Sequence, residues 1–310
     1  MNNIICIAGP TASGKTALAV ELAKEFDGEV VSCDSMQVYK RMDIGTAKPT
    51  KEEMQGIVHH MIDVAEPDED FSVSRYCAMA APIVDHIVAR GKTAIIAGGT
   101  GLYMDSLIRG NAFAPFPSTG VREKLEARAD AEGMEAMLNW LSSVDPESAA
   151  RLHLSDRKRI IRALEVYLET GETITEHNRK TRQIPPKYTP LWLGLDFAHR
   201  AELYHRIDLR VDIMLEQGLI QEIRELLASG IPAKCTAMQA IGYKEFVDAL
   251  EGGDLAAATE EVKKSSRHYA KRQLTWFRRN SAMHWLIRQT GQGSEEILAA
   301  ARQVICDFDK

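Results

Sequence analysis

The octapeptide Gly9-Pro10-Thr11-Ala12-Ser13-Gly14-Lys15-Thr16 follows the apolar run Ile4-Ile5-Cys6-Ile7-Ala8 and opens an amphipathic stretch. It fits the phosphate-loop pattern G-x-x-x-x-G-K-[ST], and its context narrows the fold more than any other feature of the chain. A loop set between a buried strand and a helix turns successive backbone N–H groups inward, with the positive end of the helix dipole behind them. Such a loop cradles a di- or triphosphate. Lys15 then neutralises the outer phosphate, and the Thr16 hydroxyl is placed to hold Mg²⁺. A ligand carrying a pyrophosphate is therefore expected.

Further short apolar runs at 29–33 and 93–97 alternate with helical patterns at 16–26 and 73–90. Strands that are apolar throughout are buried on both faces, so the alternation predicts an α/β fold, a P-loop NTPase-like parallel sheet with helices on both faces. Ligands of such sheets collect beyond the C-terminal ends of the strands. Three motifs fall there: the phosphate loop, Asp34-Ser35-Met36-Gln37, and Gly98-Gly99-Thr100-Gly101. From about Phe113 the character changes, with Pro115 and Pro117 breaking the chain before helical patterns at 119–141 and 155–170. A second punctuated stretch, Gln183-Ile184-Pro185-Pro186-Lys187, precedes a strand at 191–195. A helical segment bracketed by core strands reads as an insertion. The expected organisation is a discontinuous core of 1–112 and 190–310 around a helical insertion domain of 113–189. Helical patterns at 201–217, 219–229, 243–251 and 255–278, a strand at 283–286 and a helix at 294–308 complete the core.

At 310 residues and 45% apolar composition the chain can bury a sizeable core. Charged residues interrupt every apolar run before it reaches a membrane-spanning length, and the first such run ends in the phosphate loop, unlike a signal peptide. Five cysteines, far apart and without a C-x-x-C pair, signal neither a disulfide framework nor a zinc site. A soluble, cytoplasmic, monomeric protein is expected. The net charge of −6 argues against a nucleic-acid partner only until its distribution is considered. Lys263 to Arg279 carries seven cations and no acid, and Arg151 to Lys187 carries nine cations against five acids. Two basic patches on an acidic body suggest a localised polyanion site, although solvated helix faces would give the same pattern.

Asp34 stands at the mouth of the sheet, where a carboxylate can act as general base or hold a metal through water, or simply cap a turn. Ser35 adds a hydroxyl, and the Gln37 amide is of the type that pairs with the edge of adenine. The Gly98 turn brings backbone and a hydroxyl near a reacting centre, or is only a strand-to-helix turn. No Walker B aspartate ends the strand at 93–97; either Asp34 substitutes for it, or the loop holds a leaving pyrophosphate without phosphoryl transfer. Arg206 and Arg210, four apart on one helical pattern, suit either a diphosphate clamp or surface ion pairs with Glu202 and Asp208. The stretch Lys271 to Arg279 mixes cations with Trp276 and Phe277, an arrangement suited to phosphate contacts beside packed aromatics. A small-molecule kinase and an RNA-binding protein with a nucleotide-switched loop both remain open on these residues alone.

Taken together, the motifs resemble the tRNA isopentenyltransferase family, the tRNA dimethylallyltransferases. The resemblance rests on the phosphate loop, Asp34 to Tyr39, Met42 to Pro49, His59-His60-Met61-Ile62-Asp63, Gly98 to Tyr103, Arg162 to Val166, Ile241-Gly242-Tyr243-Lys244 and Lys271 to Arg278. It implies transfer of a dimethylallyl group from dimethylallyl diphosphate to N6 of the adenosine 3′ to the anticodon, in tRNAs reading codons that begin with U. It further implies Asp34 as base, Thr16 as Mg²⁺ ligand, and Lys15 with Arg210 on the diphosphate. Thr100 and Arg122 would lie near the reacting base, with Ser35, Met36 and Gln37 around the flipped adenine. Lys158, Arg159, Ile160, Ile161 and Arg162 would grip the tRNA, together with Gln239, Lys244, Lys271, Arg272 and Arg278. Lys158 stands where the family often has glutamine, and no zinc finger of the eukaryotic type follows Trp276, which points to a bacterial-type enzyme.

Overall fold

The computed structural model describes residues 3–111 and 119–308. The chain divides into two compact units, Met1–Gly110 with Lys187–Lys310, and Asn111–Pro186. The proline-punctuated break expected at 113–117 lies outside the described residues.

The larger unit starts with β1 (Ile4–Ala8), α1 (Lys15–Glu25), β2 (Gly28–Cys33), α2 (Lys51–Met54), β3 (His59–His60), α3 (Val73–Ala89), β4 (Thr93–Gly98) and α4 (Gly101–Arg109). The smaller unit holds α5 (Val121–Val144), α6 (Pro146–Ala149), α7 (Arg157–Thr170) and α8 (Ile174–Gln183). The chain then returns as β5 (Leu191–Phe197), α9 (Arg200–Glu216), α10 (Leu219–Ala228), α11 (Lys244–Leu250), α12 (Leu255–Phe277), β6 (Met283–Arg288) and α13 (Ser294–Phe308).

The six strands form one sheet in the order β3-β2-β4-β1-β5-β6, every neighbouring pair parallel. Parallel strands are covered on both faces, and the burial of β1, β2, β4 and β5 follows, while the edge strands β3 and β6 keep partly exposed residues. Ile5, Ile7, Val30, Ile95 and Leu193 pack with Leu18 and Leu22 of α1 and with Ile297, Ala301 and Ile305 of α13. The alternate positions Cys6, Val31, Cys33 and Ile96 are equally buried. On that side Tyr76 of α3 lies beside Cys6 and Cys33 and donates its hydroxyl to the Ser32 carbonyl at 2.9 Å. Burying one such aliphatic side chain contributes about 1.5–3 kcal/mol, so the sheet is fixed from both sides.

The departures from the expected elements have local causes. β3 has only two residues, both histidines, and carries no apolar run to read. The pattern at 119–141 corresponds to α5, but Gly133 at φ 81° and ψ 162° interrupts its helical geometry. α8 has a capping box at Thr173 and Glu176 but few apolar residues, so periodicity did not announce it. In the smaller unit Leu125, Met137, Leu141, Ile160, Ile161 and Leu164 build a separate core. No helix among the described residues is long and apolar enough to cross a membrane.

At the outer side of the sheet, Glu29 of β2 is buried and receives Arg90 bidentately at 2.7 and 2.8 Å and His60 of β3 at 2.8 Å. The Arg90 hydrogen bonds, aided by His60, outweigh burial and hold the Glu29 carboxyl down to about 2. Because its folded pKa is depressed, the stability it contributes is present above the ordinary carboxylate range and is lost as pH falls towards about 2. Glu29→Gln is expected to lower the free energy of unfolding at neutral pH by about 2 kcal/mol. It should also flatten the acid limb of the pH–stability curve; urea titrations at several pH values would register both effects.

Candidate functional site

The phosphate loop, Asp34 and Thr100 follow the C-terminal ends of β1, β2 and β4, which are neighbours in the sheet. Their convergence is a consequence of strand order. The loop bends through Ala12 in the left-handed region at φ 62°, and α1 begins directly after Gly14. Lys15 donates to the Pro10 carbonyl at 2.7 Å, and Arg206 Nε to the Ala12 carbonyl at 3.0 Å. Ser13 Oγ is buried with no hydrogen-bond partner among the described residues. Thr16 stands half-buried in the first turn of α1.

Burial first, and Arg210 second, push the Lys15 ammonium down to about 7, while Asp34 opposes them. Arg210 is itself lowered by burial and by Arg206, and Arg288 at the end of β6 is lowered by burial and by Arg206. Both Arg206 and Arg288 stand near the Phe197 ring, at 5.8 and 5.7 Å from its centre. None of Lys15, Arg206, Arg210 and Arg288 has a carboxylate within ion-pair distance among the described residues. Asp208 pairs with Arg267 instead, and Glu202 with the Thr290 hydroxyl, so the surface ion pairs considered for Arg206 and Arg210 are not formed. Four basic side chains with no carboxylate in ion-pair reach beside the loop make a candidate anion site.

Asp34 serves two purposes with its two oxygens. Oδ1 accepts from the Met36 and Gln37 backbone N–H groups at 2.8 and 3.3 Å, the turn-capping arrangement. Oδ2 has no hydrogen-bond partner among the described residues and remains available to a ligand. Burial raises the Asp34 pKa against the opposing pull of those two amides and Lys15. Thr100 Oγ1 accepts from the Ser35 N–H at 3.1 Å and lies 3.4 Å from the Ser35 hydroxyl. The Gln37 amide is engaged within the protein: Oε1 accepts from Ser32 Oγ at 3.0 Å and Nε2 donates to the Thr46 and Ala47 carbonyls at 3.3 and 3.1 Å.

The most informative residue that sequence reading missed is Gln273 of α12. Its Oε1 accepts from the phosphate-loop Thr11 N–H at 2.9 Å and its Nε2 donates to the Gly99 carbonyl at 3.0 Å. A Cβ at Gly99 would stand 2.1 Å from that Nε2, and one at Gly101 would stand 2.2 Å from the Trp276 ring. The glycines after β4 are therefore required by the close approach of α12. Trp276 Nε1 also donates to Asp105 at 2.9 Å, and the Tyr269 hydroxyl is in reach of Thr100 and Gln273. Tyr269, Gln273 and Trp276 lie four and three residues apart on one helix face, a spacing that held the signal.

Of the residues expected to contact tRNA in the smaller unit, Arg122, Lys158, Arg159 and Arg162 converge with Arg151 and Asn178 on a cleft of about 520 Å³. Ile160 and Ile161 do not join them. They are 0% and 1% exposed in the core of that unit and hold α7 in place without offering a surface to RNA. In the larger unit Gln239, Lys244, Lys271 and Arg272 are exposed, and Arg278 pairs with Asp196 at 2.8 Å. Trp276 is half-buried and Phe277 buried, leaving the cations outermost.

Residues 37–280 match the family model described as IPP transferase. The chain is 48% identical over 297 residues to the tRNA dimethylallyltransferase of Thermoanaerobacter sp. (strain X514), covering 95% of this chain and 94% of that protein. It is 44% identical over 310 residues to the tRNA dimethylallyltransferase of Acetivibrio thermocellus, covering 99% of both. Among solved structures, the full-length tRNA isopentenylpyrophosphate transferase of Bacillus halodurans superposes with a TM-score of 0.74 at 40% identity, covering 100% of this chain and 97% of that one. A eukaryotic dimethylallyltransferase acting on tRNA superposes with a TM-score of 0.84 at 30% identity, covering 99% of this chain and 80% of that one.

Because Lys15 is held down to about 7 in the free site, an anion that binds the loop should restore its proton. Inorganic pyrophosphate is expected to bind with proton uptake above that pH, giving a calorimetric enthalpy that depends on the ionisation enthalpy of the buffer. Relative to Lys15→Ala, affinity should fall by up to about tenfold per pH unit on the alkaline side. Identical buffer dependence in the two proteins would mean that Lys15 is already charged in the free site.

Proposed function

The chain belongs to the IPP transferase family, and on that premise we propose that its reaction joins dimethylallyl diphosphate to N6 of the adenosine 3′ to the anticodon in tRNAs reading codons that begin with U. As a tRNA dimethylallyltransferase it is a prenyl transferase acting on tRNA. Family membership retires the small-molecule kinase and the nucleotide-switched RNA binder as alternatives. The observation that carries the finer reading is the free Asp34 Oδ2 beside Lys15 of the phosphate loop, which sets a proton acceptor against a leaving-group site.

The N6 lone pair attacks C1 of the allylic donor as the C–O bond breaks, the electron pair leaves with the diphosphate, and the N6 proton passes to Asp34. An adenine amine is a poor nucleophile because its lone pair is drawn into the ring, so a carboxylate whose pKa is raised by burial is the better acceptor. Lys15 and Arg210, with Arg206 behind them, stabilise the charge that develops on the leaving group. Thr100 holds the Ser35 end of the Asp34 turn. The target base must leave the stack to reach this site, and a single-stranded anticodon loop makes that cheap.

Mg²⁺ suits the donors present. Among the described residues no three His, Cys, Asp or Glu side chains could hold a metal, whereas Thr16 offers a hydroxyl at the loop, and Mg²⁺ is commonly shared between one protein oxygen and substrate phosphates. It would add further neutralisation of the diphosphate. The cleft of the smaller unit and the exposed cations of α12 supply contacts to the tRNA backbone. Five free cysteines accord with a reducing, cytoplasmic setting, and we read the working enzyme as a monomer.

Incubation with Mg²⁺, dimethylallyl diphosphate and unmodified tRNA should place one dimethylallyl mass increment on the adenosine beside the anticodon. Asp34→Asn is expected to lower kcat by about 10²–10⁴-fold with the KM for the donor little changed. A collapse of tRNA binding in that variant would instead make Asp34 a structural residue.

A further inference from the structure

The loop after Asp34-Ser35-Met36-Gln37 runs from Met42 to Lys48 without helix or strand, and it is hydrogen-bonded to Glu222 on one side and Gln37 on the other. The backbone N–H groups of Asp43, Ile44 and Gly45 all donate to the carboxylate of Glu222 on α10, at 2.8, 2.8 and 3.2 Å. The same carboxylate accepts from the hydroxyl of Tyr243 at 2.6 Å. Tyr243 is fully buried, and its ring supports the loop from beneath: a Cβ at Gly45 would stand 2.4 Å from it. On its other side the loop presents the Thr46 and Ala47 carbonyls to Gln37 Nε2, and the Gln37 N–H donates in turn to Asp34 Oδ1.

Three consecutive amides converging on one carboxylate form an anion-binding nest whose shape is set by that anion. Hydrogen bonds to a charged acceptor are about twice as strong as neutral ones. Nothing in the proposed chemistry uses Glu222 directly, and its position on α10 is not required by the core, since the side chain is only partly buried. Its partner Tyr243 sits inside the segment 239–244, between the exposed Gln239 and Lys244.

We propose that Glu222 is a positioning residue: with Tyr243 it clamps the 43–47 loop, thereby fixing Gln37 and the Asp34 turn, and ties that turn to the 239–244 segment, whose exposed Gln239 and Lys244 are the expected tRNA contacts. The proposal rests on the function given above and extends it to a residue three hydrogen-bonded steps from Asp34. A clamp of this kind acts on the adenine side of the site and leaves the phosphate loop untouched, because no bond in the relay involves residues 9–16.

The test is steady-state kinetics of the full chain with tRNA and dimethylallyl diphosphate varied separately, for Glu222→Gln, Tyr243→Phe and Gly45→Ala. An amide at position 222 cannot reproduce a charged acceptor for three N–H groups. Glu222→Gln is expected to lower kcat/KM for tRNA by tenfold or more while the KM for dimethylallyl diphosphate and the affinity for pyrophosphate stay within twofold. Gly45→Ala should give the same split by pushing the loop off the Tyr243 ring, and Tyr243→Phe a smaller loss of the same kind. Should Glu222→Gln fail to fold, the other two variants decide. Equal efficiency with tRNA in the folded variants, or a parallel rise in the KM for the diphosphate, overturns the positioning role. Absence of transfer by the unaltered protein would overturn the function beneath it as well.

Discussion

A single buried amide joins the two halves of the site. Gln273 is 5% exposed and spans the phosphate loop and the β4–α4 turn, bonding Thr11 N–H with one end and the Gly99 carbonyl with the other. Each bond contributes about 1 kcal/mol net, but a buried amide left unpaired would cost about 1–3 kcal/mol, so the arrangement is favoured mainly by what its absence would leave exposed. The geometry dictates its neighbours. Gly99 must lack a side chain for the amide to arrive, Gly101 must lack one for Trp276, and Tyr269 then reaches Thr100 one turn earlier. The loop of the phosphate-binding pattern and the turn that carries Thr100 are thus held to one helix, although they lie far apart in sequence.

Against that scaffold the site stores unfavourable charge. Burial lowers Lys15, Arg210 and Arg288, with Arg210 adding to the shift of Lys15 and Arg206 to those of Arg210 and Arg288, and the nearby carboxylate Asp34 keeps one oxygen for its own turn. The Pro10 and Ala12 carbonyls partly satisfy Lys15 and Arg206, but carbonyl dipoles do not neutralise a cation. A folded chain tolerates such a cluster where solvent still screens it and where an anion will complete it. The same burial that disfavours the charge on Lys15 disfavours the charge on Asp34, so ammonium and carboxylate are both moved towards neutrality in the free site. An anion bound at the loop would favour the charged form of Lys15 again.

The strands at the centre of the sheet were legible because parallel strands buried on both faces have nothing to alternate with: β1, β2, β4 and β5 are short, largely apolar runs bounded by turns. β3 was not legible, being two histidines at an edge, one of which is held by Glu29 and not by packing. The motif residues were legible as types but not as partners. The phosphate loop, Asp34 and Thr100 could be placed at strand ends from the pattern alone, whereas Gln273 and Glu222 act on backbone atoms more than 170 residues away, across contacts no local period encodes. Gln37 shows the same limit from the other side, since its amide chemistry was evident but its commitment to Thr46 and Ala47 was not.

The basic stretch of α12 changes meaning once its partners are known. Lys263 and Lys264 pair with Asp212 and Glu261, Arg267 with Asp208, and Arg278 with Asp196, so those cations mainly balance the acids around them. Lys271, Arg272 and Arg279 have no such partner among the described residues, and Arg272 and Arg279 lie over the rings of Tyr269 and Trp276. Those rings belong to the same helix face that carries Gln273. Two of these three cations, Arg272 and Arg279, are therefore mounted on the rings that reach Thr100 and Asp105. A phosphate backbone bound at this point would bear on the helix that holds the phosphate loop and the β4–α4 turn together.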